Sequence, residues 1–172
     1  MSTLPKALKP TGHEPFTVSR KPVLIRKATP VFKRWKGSQA GSSYGGKAFV
    51  DYKGRRLFAE FAILELLKTK GWEGVWVDCY GRRYKTSVGC IPFGQLPSYP
   101  KSILDSIARS DKFPYGCWDI FCWRGRRLLF VEAKRKSKDR LRPGQHRWLK
   151  KALAGGLLPM NFLLVEWSLS PQ

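Results

Sequence analysis

The sequence predicts a small α/β domain with the element order helix, strand, strand, strand, helix, strand. Three observations carry this: an apolar recurrence at helical spacing from Leu57, two strand-like runs on either side of Arg124-Gly125-Arg126, and a near-continuous apolar run from Phe162 to Trp167. A chain of 172 residues has room for one domain with a real core and hardly for two. No internal repeat is visible.

From Met1 to about Lys47 the chain is rich in Pro, Ser, Gly, Lys and Arg, holds one acid (Glu14) and shows no sustained period. Residues 1–47 are therefore expected to be a disordered basic arm, either a solvated tail or a phosphate-wrapping segment, and residues 48–172 the folded domain. Leu57, Phe61, Leu64 and Leu67 recur at helical spacing up to Lys70, where Gly71 supplies the stop. Gly74 to Asp78 reads as a short strand, and a loop-rich stretch follows to about Pro100. A short helix is expected over 102–110. Trp118–Trp123 and Arg127–Lys134 make a hairpin, Pro143 opens a helix running to Gly155-Gly156, and Phe162 to Trp167 reads as a strand buried on both faces.

The charge balance points to a polyanion. Lys and Arg number 33 against 12 Asp plus Glu, a net charge of +21, and a compact protein bears the self-repulsion of so much charge when it has a use. Nucleic acid is the expected partner. No apolar run approaches the ~20 residues of a spanning helix, so no membrane partner is expected. The four cysteines (Cys79, Cys90, Cys117, Cys122) form no CxxC pair and read as buried free thiols, with zinc ligation the alternative. Free thiols fit a reducing compartment such as cytoplasm, nucleoid or nucleus, with an organelle left open by the acid-poor N-terminus.

Acids are few, so their positions inform. Asp119 and Glu132 lie in the most apolar strands, where a carboxylate needs a reason. A hairpin turning on Gly125-Arg126 puts Asp119 opposite Glu132; one turning on Arg124-Gly125 puts it opposite Phe130, on the same face as Glu132. Lys134 shares that face, and Ala133 points away. Opposed carboxylates repel unless a cation lies between them, and hard oxygen ligands select Mg²⁺ or Mn²⁺, with the Ala133 carbonyl a further ligand. Such an ion would serve phosphodiester hydrolysis, with Lys134 positioning the water. An ordinary cross-strand ion pair is the bland alternative. Glu60 falls within the apolar helix face, as a carboxylate reaching inward would. Glu65, roughly 140° around the helix from it, is expected to make a surface or loop contact. Asp78, ending a strand, is another acid able to join the pocket.

Asp119, Glu132-Ala133-Lys134 and Gln145 resemble the PD-(D/E)xK nuclease signature and, more narrowly, its VRR-NUC branch. The tracts Phe130–Lys134, Asp139-Arg140-Leu141 with Gln145 and Trp148-Leu149, and Ala59-Glu60-Phe61 through Gly71–Gly74 are similar to those of the nuclease domain of Fanconi-associated structure-specific nucleases, with a stand-alone VRR-NUC protein as the closer model. The resemblance spans about Phe58 to Trp167. It implies a restriction-endonuclease-like core, a mixed four-stranded sheet flanked by helices. It also implies a metal-dependent endonuclease acting on branched or flapped DNA. Glu60, Asp78, Asp119 and Glu132 become metal-binding candidates, Lys134 the catalytic lysine and Gln145 its helper. The chain departs from the pattern where Asp78 stands for a Glu and Trp118 for a Pro.

Arg135, Lys136, Lys138, Arg140 and Arg142 form a basic cluster able to hold phosphates, and Arg82, Arg83 and Lys85 a second; solvated surface charge is the alternative for each. His146 is expected near phosphate. Trp118, Trp123, Trp148 and Trp167 are assigned to packing, while Tyr80, Tyr84 and Tyr99 are candidates for stacking on unpaired bases. Two cuts at once would need two sites, as in a homodimer. A sequence-preferring restriction-like endonuclease and a non-catalytic basic nucleic-acid-binding protein are the competing functions.

Overall fold

The computed structural model describes residues 4–38, 46–87, 89–91, 95–108 and 114–171, which form one large, mostly antiparallel sheet with three α-helices. In chain order the elements are β1 (Gly12–Val18), β2 (Lys21–Ala28), β3 (Val31–Arg34), β4 (Phe49–Tyr52), β5 (Arg55–Phe58), α1 (Ala59–Lys68), β6 (Glu73–Asp78), β7 (Arg83–Thr86), β8 (Gly89–Ile91), α2 (Ser98–Ala108), β9 (Ile120–Arg124), β10 (Arg127–Arg135), α3 (Pro143–Ala154) and β11 (Phe162–Leu169). No helix among the described residues is long and apolar enough to cross a membrane.

Alternation along β9 and β10 sets the layers. Leu129, Val131 and Ala133, with Ile120 and Cys122, pack against Ala62, Ile63 and Leu67 of α1. Leu128 and Phe130, with Phe121 and Trp123, face Leu104 of α2 and Trp148 and Leu149 of α3. Both faces of these strands are thus buried, which is why they read as continuous apolar runs. Each large side chain so buried stabilises the fold by about 1.5–3 kcal/mol.

The sheet order is β5-β4-β3-β11-β10-β9-β6-β7-β8, with β2 also beside β11 and β1 beside β2. β11 runs parallel to β10, β2 and β3, and the other pairings are antiparallel. The four strands expected from the sequence, β6, β9, β10 and β11, lie side by side. The mixed four-stranded sheet implied by the resemblance is not confirmed: the described sheet has eleven strands.

Three of the additional strands come from the segment expected to be a disordered arm. β1 and β2 form a hairpin, and β2 and β3 pair in succession with β11. Backbone pairing on the open side of β11 holds them, helped by a few apolar anchors: Phe16, Ile25, Ala28 and Phe32 are buried. Charged positions between the anchors hide any period of 2. Lys27 uses its charge internally, bridging Glu14 at 3.1 Å and Glu166 at 3.3 Å.

The first helix starts later than its apolar spacing suggests. Leu57 and Phe58 pair with Val50 and Phe49 across the β4–β5 hairpin, with Phe49 and Phe58 stacked at 4.7 Å. That hairpin turns on Lys53 and Gly54, both at positive φ, as a tight two-residue connection requires. Tyr84, expected in a loop, is instead buried on β7 at 2% exposure and is no stacking partner. All four cysteines are free; Cys117 and Cys122 are buried, whereas Cys90 on β8 is exposed.

Candidate active site

The β9–β10 hairpin places the two central acids. It turns on Gly125-Arg126, pairing Arg124 with Arg127 and Ile120 with Val131, and Gly125 has the positive φ of 56° that a glycine-first turn takes. One step further along this register, Asp119 lies opposite Glu132. Their side chains interlock: the Asp119 N–H donates to Glu132 Oε2 at 3.2 Å, and the Ala133 N–H donates to Asp119 Oδ2 at 3.1 Å. A strand residue's N–H and C=O leave on the same side, so the Ala133 carbonyl also faces Asp119.

Glu132 is fully buried. Its Oε1 accepts from Gln145 Nε2 at 2.5 Å and pairs with Lys134 Nζ at 2.6 Å. Gln145 lies in the first turn of α3, where its Oε1 accepts the Arg142 N–H at 2.8 Å; it thus ties the start of that helix to the buried acid. The loop leading to Asp119 closes against the same turn. Gly116 has φ 78°, and a Cβ there would stand 2.8 Å from the Gly144 carbonyl oxygen; only glycine suits both.

These groups open onto a cleft of about 900 Å³ lined, among others, by Lys47, Glu60, Asp78, Asp119, Ala133, Lys134 and Gln145. Glu132 lies beneath its surface, covered by Lys134 and Gln145. Glu60, second residue of α1, is 5% exposed and pairs with Lys47. Asp78 shares the cleft wall, but its carboxylate turns to Lys85 at 3.3 Å, Arg83 at 3.4 Å and the Gly81 N–H at 2.9 Å. Glu65 makes the surface contacts expected of it, with Lys68, Arg55 and Ser87.

Burial pushes the Glu132 carboxyl well above the usual range, and the Asp119 charge adds to it against the opposing pull of Lys134. Burial raises Glu60 too; Lys47 opposes that, while Asp119 reinforces it. Burial acts on Asp78 in the same sense, but the Gly81 N–H, Lys85 and Arg83 outweigh it and hold the group below its ordinary value. A carboxyl raised on folding stabilises the fold fully below its unfolded pKa, and this is lost as pH rises through the folded pKa. Glu132→Gln is therefore expected to raise stability at neutral pH and to reduce its fall above the ordinary glutamate range. Thermal melts of both proteins from pH 4 to 8 check this; equal curves would show that the buried charge costs nothing.

The basic clusters divide. Arg135, Lys138, Arg140 and Arg142 line the cleft; Lys136, Arg82, Arg83 and His146 do not. Arg82 lies 5.6 Å from the Tyr115 ring, and His146 packs on Phe16 at 5.3 Å, so its expected place near phosphate is not the cleft. Of the tyrosines expected to stack, Tyr80 is 94% exposed at the cleft lip, while the Tyr99 ring is met by Arg126. Trp118, Trp123, Trp148 and Trp167 are buried, as assigned. Sequence reasoning missed Lys47, which belongs to no motif, and Trp76, whose ring lies under both Lys47 and Lys85.

Fold and site together define an α/β protein with a carboxylate- and lysine-lined cleft at the end of its central strands. No family model, curated protein or solved structure matches the chain.

Proposed function

We propose that the chain is a metal-dependent nuclease of the PD-(D/E)xK superfamily, VRR-NUC branch, that hydrolyses DNA phosphodiester bonds with Mg²⁺ or Mn²⁺. The observation that carries this reading is the interlocked Asp119–Glu132 pair with Lys134 Nζ 2.6 Å from Glu132. The donor set fits such an ion. Two opposed carboxylates, one of them destabilised by the other's charge, gain from a cation between them, and the Ala133 carbonyl adds a third hard oxygen. Mg²⁺ is held by one or two carboxylates, completing its shell with water and phosphate. This matters because no group of three or more His, Cys, Asp or Glu among the described residues could hold a metal ion.

When bound, the ion's chemistry is polarisation of the phosphodiester and acidification of a water. The protein's own groups do the rest. Lys134 holds the attacking water and offsets charge as the water oxygen bonds to phosphorus and the sugar oxygen departs. Gln145 keeps Glu132 oriented. Arg135, Lys138, Arg140 and Arg142 take flanking phosphates along the cleft. Arg140→Ala is expected to lower the slope of log affinity against log salt by about 1 for all sequences alike, as fluorescence anisotropy at several salt concentrations would measure; an unchanged slope would remove Arg140 from the path.

Branched or flapped DNA is the proposed substrate, on the strength of the resemblance alone. The test is cleavage of labelled branched, flapped and linear DNA by wild type, Asp119→Ala and Lys134→Ala, with and without Mg²⁺. Cleavage by the wild type only, and only with metal, is expected; equal activity in all three would sink the proposal. One observation favours a second reading, a non-catalytic basic DNA-binding protein: Glu60, Glu132 and Asp78 each already pair with a lysine. Tight, salt-sensitive binding with no cleavage under any divalent ion would select it.

A further inference from the structure

Lys47 reaches the cleft from the segment before β4, and its ammonium has a built place there. It pairs with Glu60 and lies 4.9 Å from the centroid of the Trp76 ring. Trp76 is 4% exposed and held edge-on by Phe61 at 5.3 Å and Phe58 at 6.2 Å, so the platform is rigid. The charge also feels Asp119 across the cleft. A cation beside Glu60 and in the field of Asp119 is what a second divalent ion would be, and Lys47 already supplies one there; separately, no group of three or more His, Cys, Asp or Glu among the described residues could hold a metal ion.

We infer that Lys47 stands in the place of a second divalent cation, so that the Asp119–Glu132 pair takes a single ion and the lysine is the fixed positive charge on the Glu60 side. This rests on the metal-dependent reading above. The partners are unequal: the Lys47 side chain is 38% exposed and that of Glu60 only 6%. The lysine can be removed without opening the core, and the carboxylate left behind stays in the cleft wall, under the Asp119 charge and without its salt-bridge partner. That arrangement recruits a hard divalent ion.

The test is Mn²⁺ titrated into the metal-free full chain, with bound ions counted by electron paramagnetic resonance and affinities taken from calorimetry. Wild type and Lys47→Arg are expected to bind one ion. Lys47→Met and Lys47→Gln, each shown to be folded by circular dichroism, are expected to bind a second or to gain about tenfold or more in affinity, and adding Glu60→Gln is expected to abolish that gain. Neutral variants that match wild type in number, and within about twofold in affinity, overturn the inference and leave the metal-dependent reading intact, as does a second ion in Lys47→Arg. No Mn²⁺ bound by wild type or by either neutral variant overturns both.

Discussion

Lys134→Met is expected to slow DNA cleavage by about 10²–10⁴-fold while leaving DNA affinity within about twofold. Nζ lies 2.6 Å from the buried Glu132, and its side chain is 13% exposed. It is therefore placed to hold a water and to meet charge developing on the phosphate, and poorly placed to grip a flanking phosphate, the role proposed for Arg135, Lys138, Arg140 and Arg142, which line the cleft. Methionine keeps the length and apolar stem and removes the charge. The variant leaves Glu132 buried beside Asp119 with Gln145 as its remaining side-chain donor, so some stability is lost as well. Single-turnover rates at saturating protein, taken well below the melting midpoint, separate the two effects. Equal single-turnover rates would remove Lys134 from the chemistry, and a parallel loss of affinity would make it a binding residue.

Phe130→Ala is expected to cost about 3–5 kcal/mol of folding stability. The ring is fully buried on the α2–α3 side of β10, stacked on Phe121 at 4.4 Å and met by Trp148 at 4.8 Å and Phe162 at 5.6 Å. Three aromatic walls held by two neighbouring strands and a helix cannot collapse into the space it leaves. Set against a typical total of about 5–15 kcal/mol, the loss is a large share. Urea unfolding should show a lower midpoint with an unchanged slope; a midpoint within the error of wild type would mean that the layer repacks.

The central strands and their acids were legible because both depend on local pattern. Apolar runs bounded by turn residues located β9, β10 and β11, and the turn at Gly125-Arg126 was one of the two registers open to the hairpin. With that register Asp119 and Glu132 had to meet. The outer strands were not legible. β2 carries Lys21, Arg26 and Lys27 among its eight residues, and what holds it is backbone pairing to β11 over Leu163–Val165, a contact 137 residues away that leaves no mark on local periodicity. Leu57 and Phe58 matched the helical spacing and yet belong to β5, because Phe49 and Val50 were there to pair with them. Lys47 escaped notice for the same reason: its role depends on Trp76 and Glu60, which only the folded chain brings beside it.

The central claim is that Asp119 and Glu132 hold a divalent ion that supports hydrolysis. Its most direct measurement is the rate of cutting of one labelled flapped DNA by chelator-treated protein as Mg²⁺ is returned, in wild type and Asp119→Ala. The account predicts no cutting before metal, saturable recovery in the wild type, and none in the variant although it still binds the DNA. Cutting by the chelator-treated wild type, or metal-restored cutting by Asp119→Ala, would contradict it.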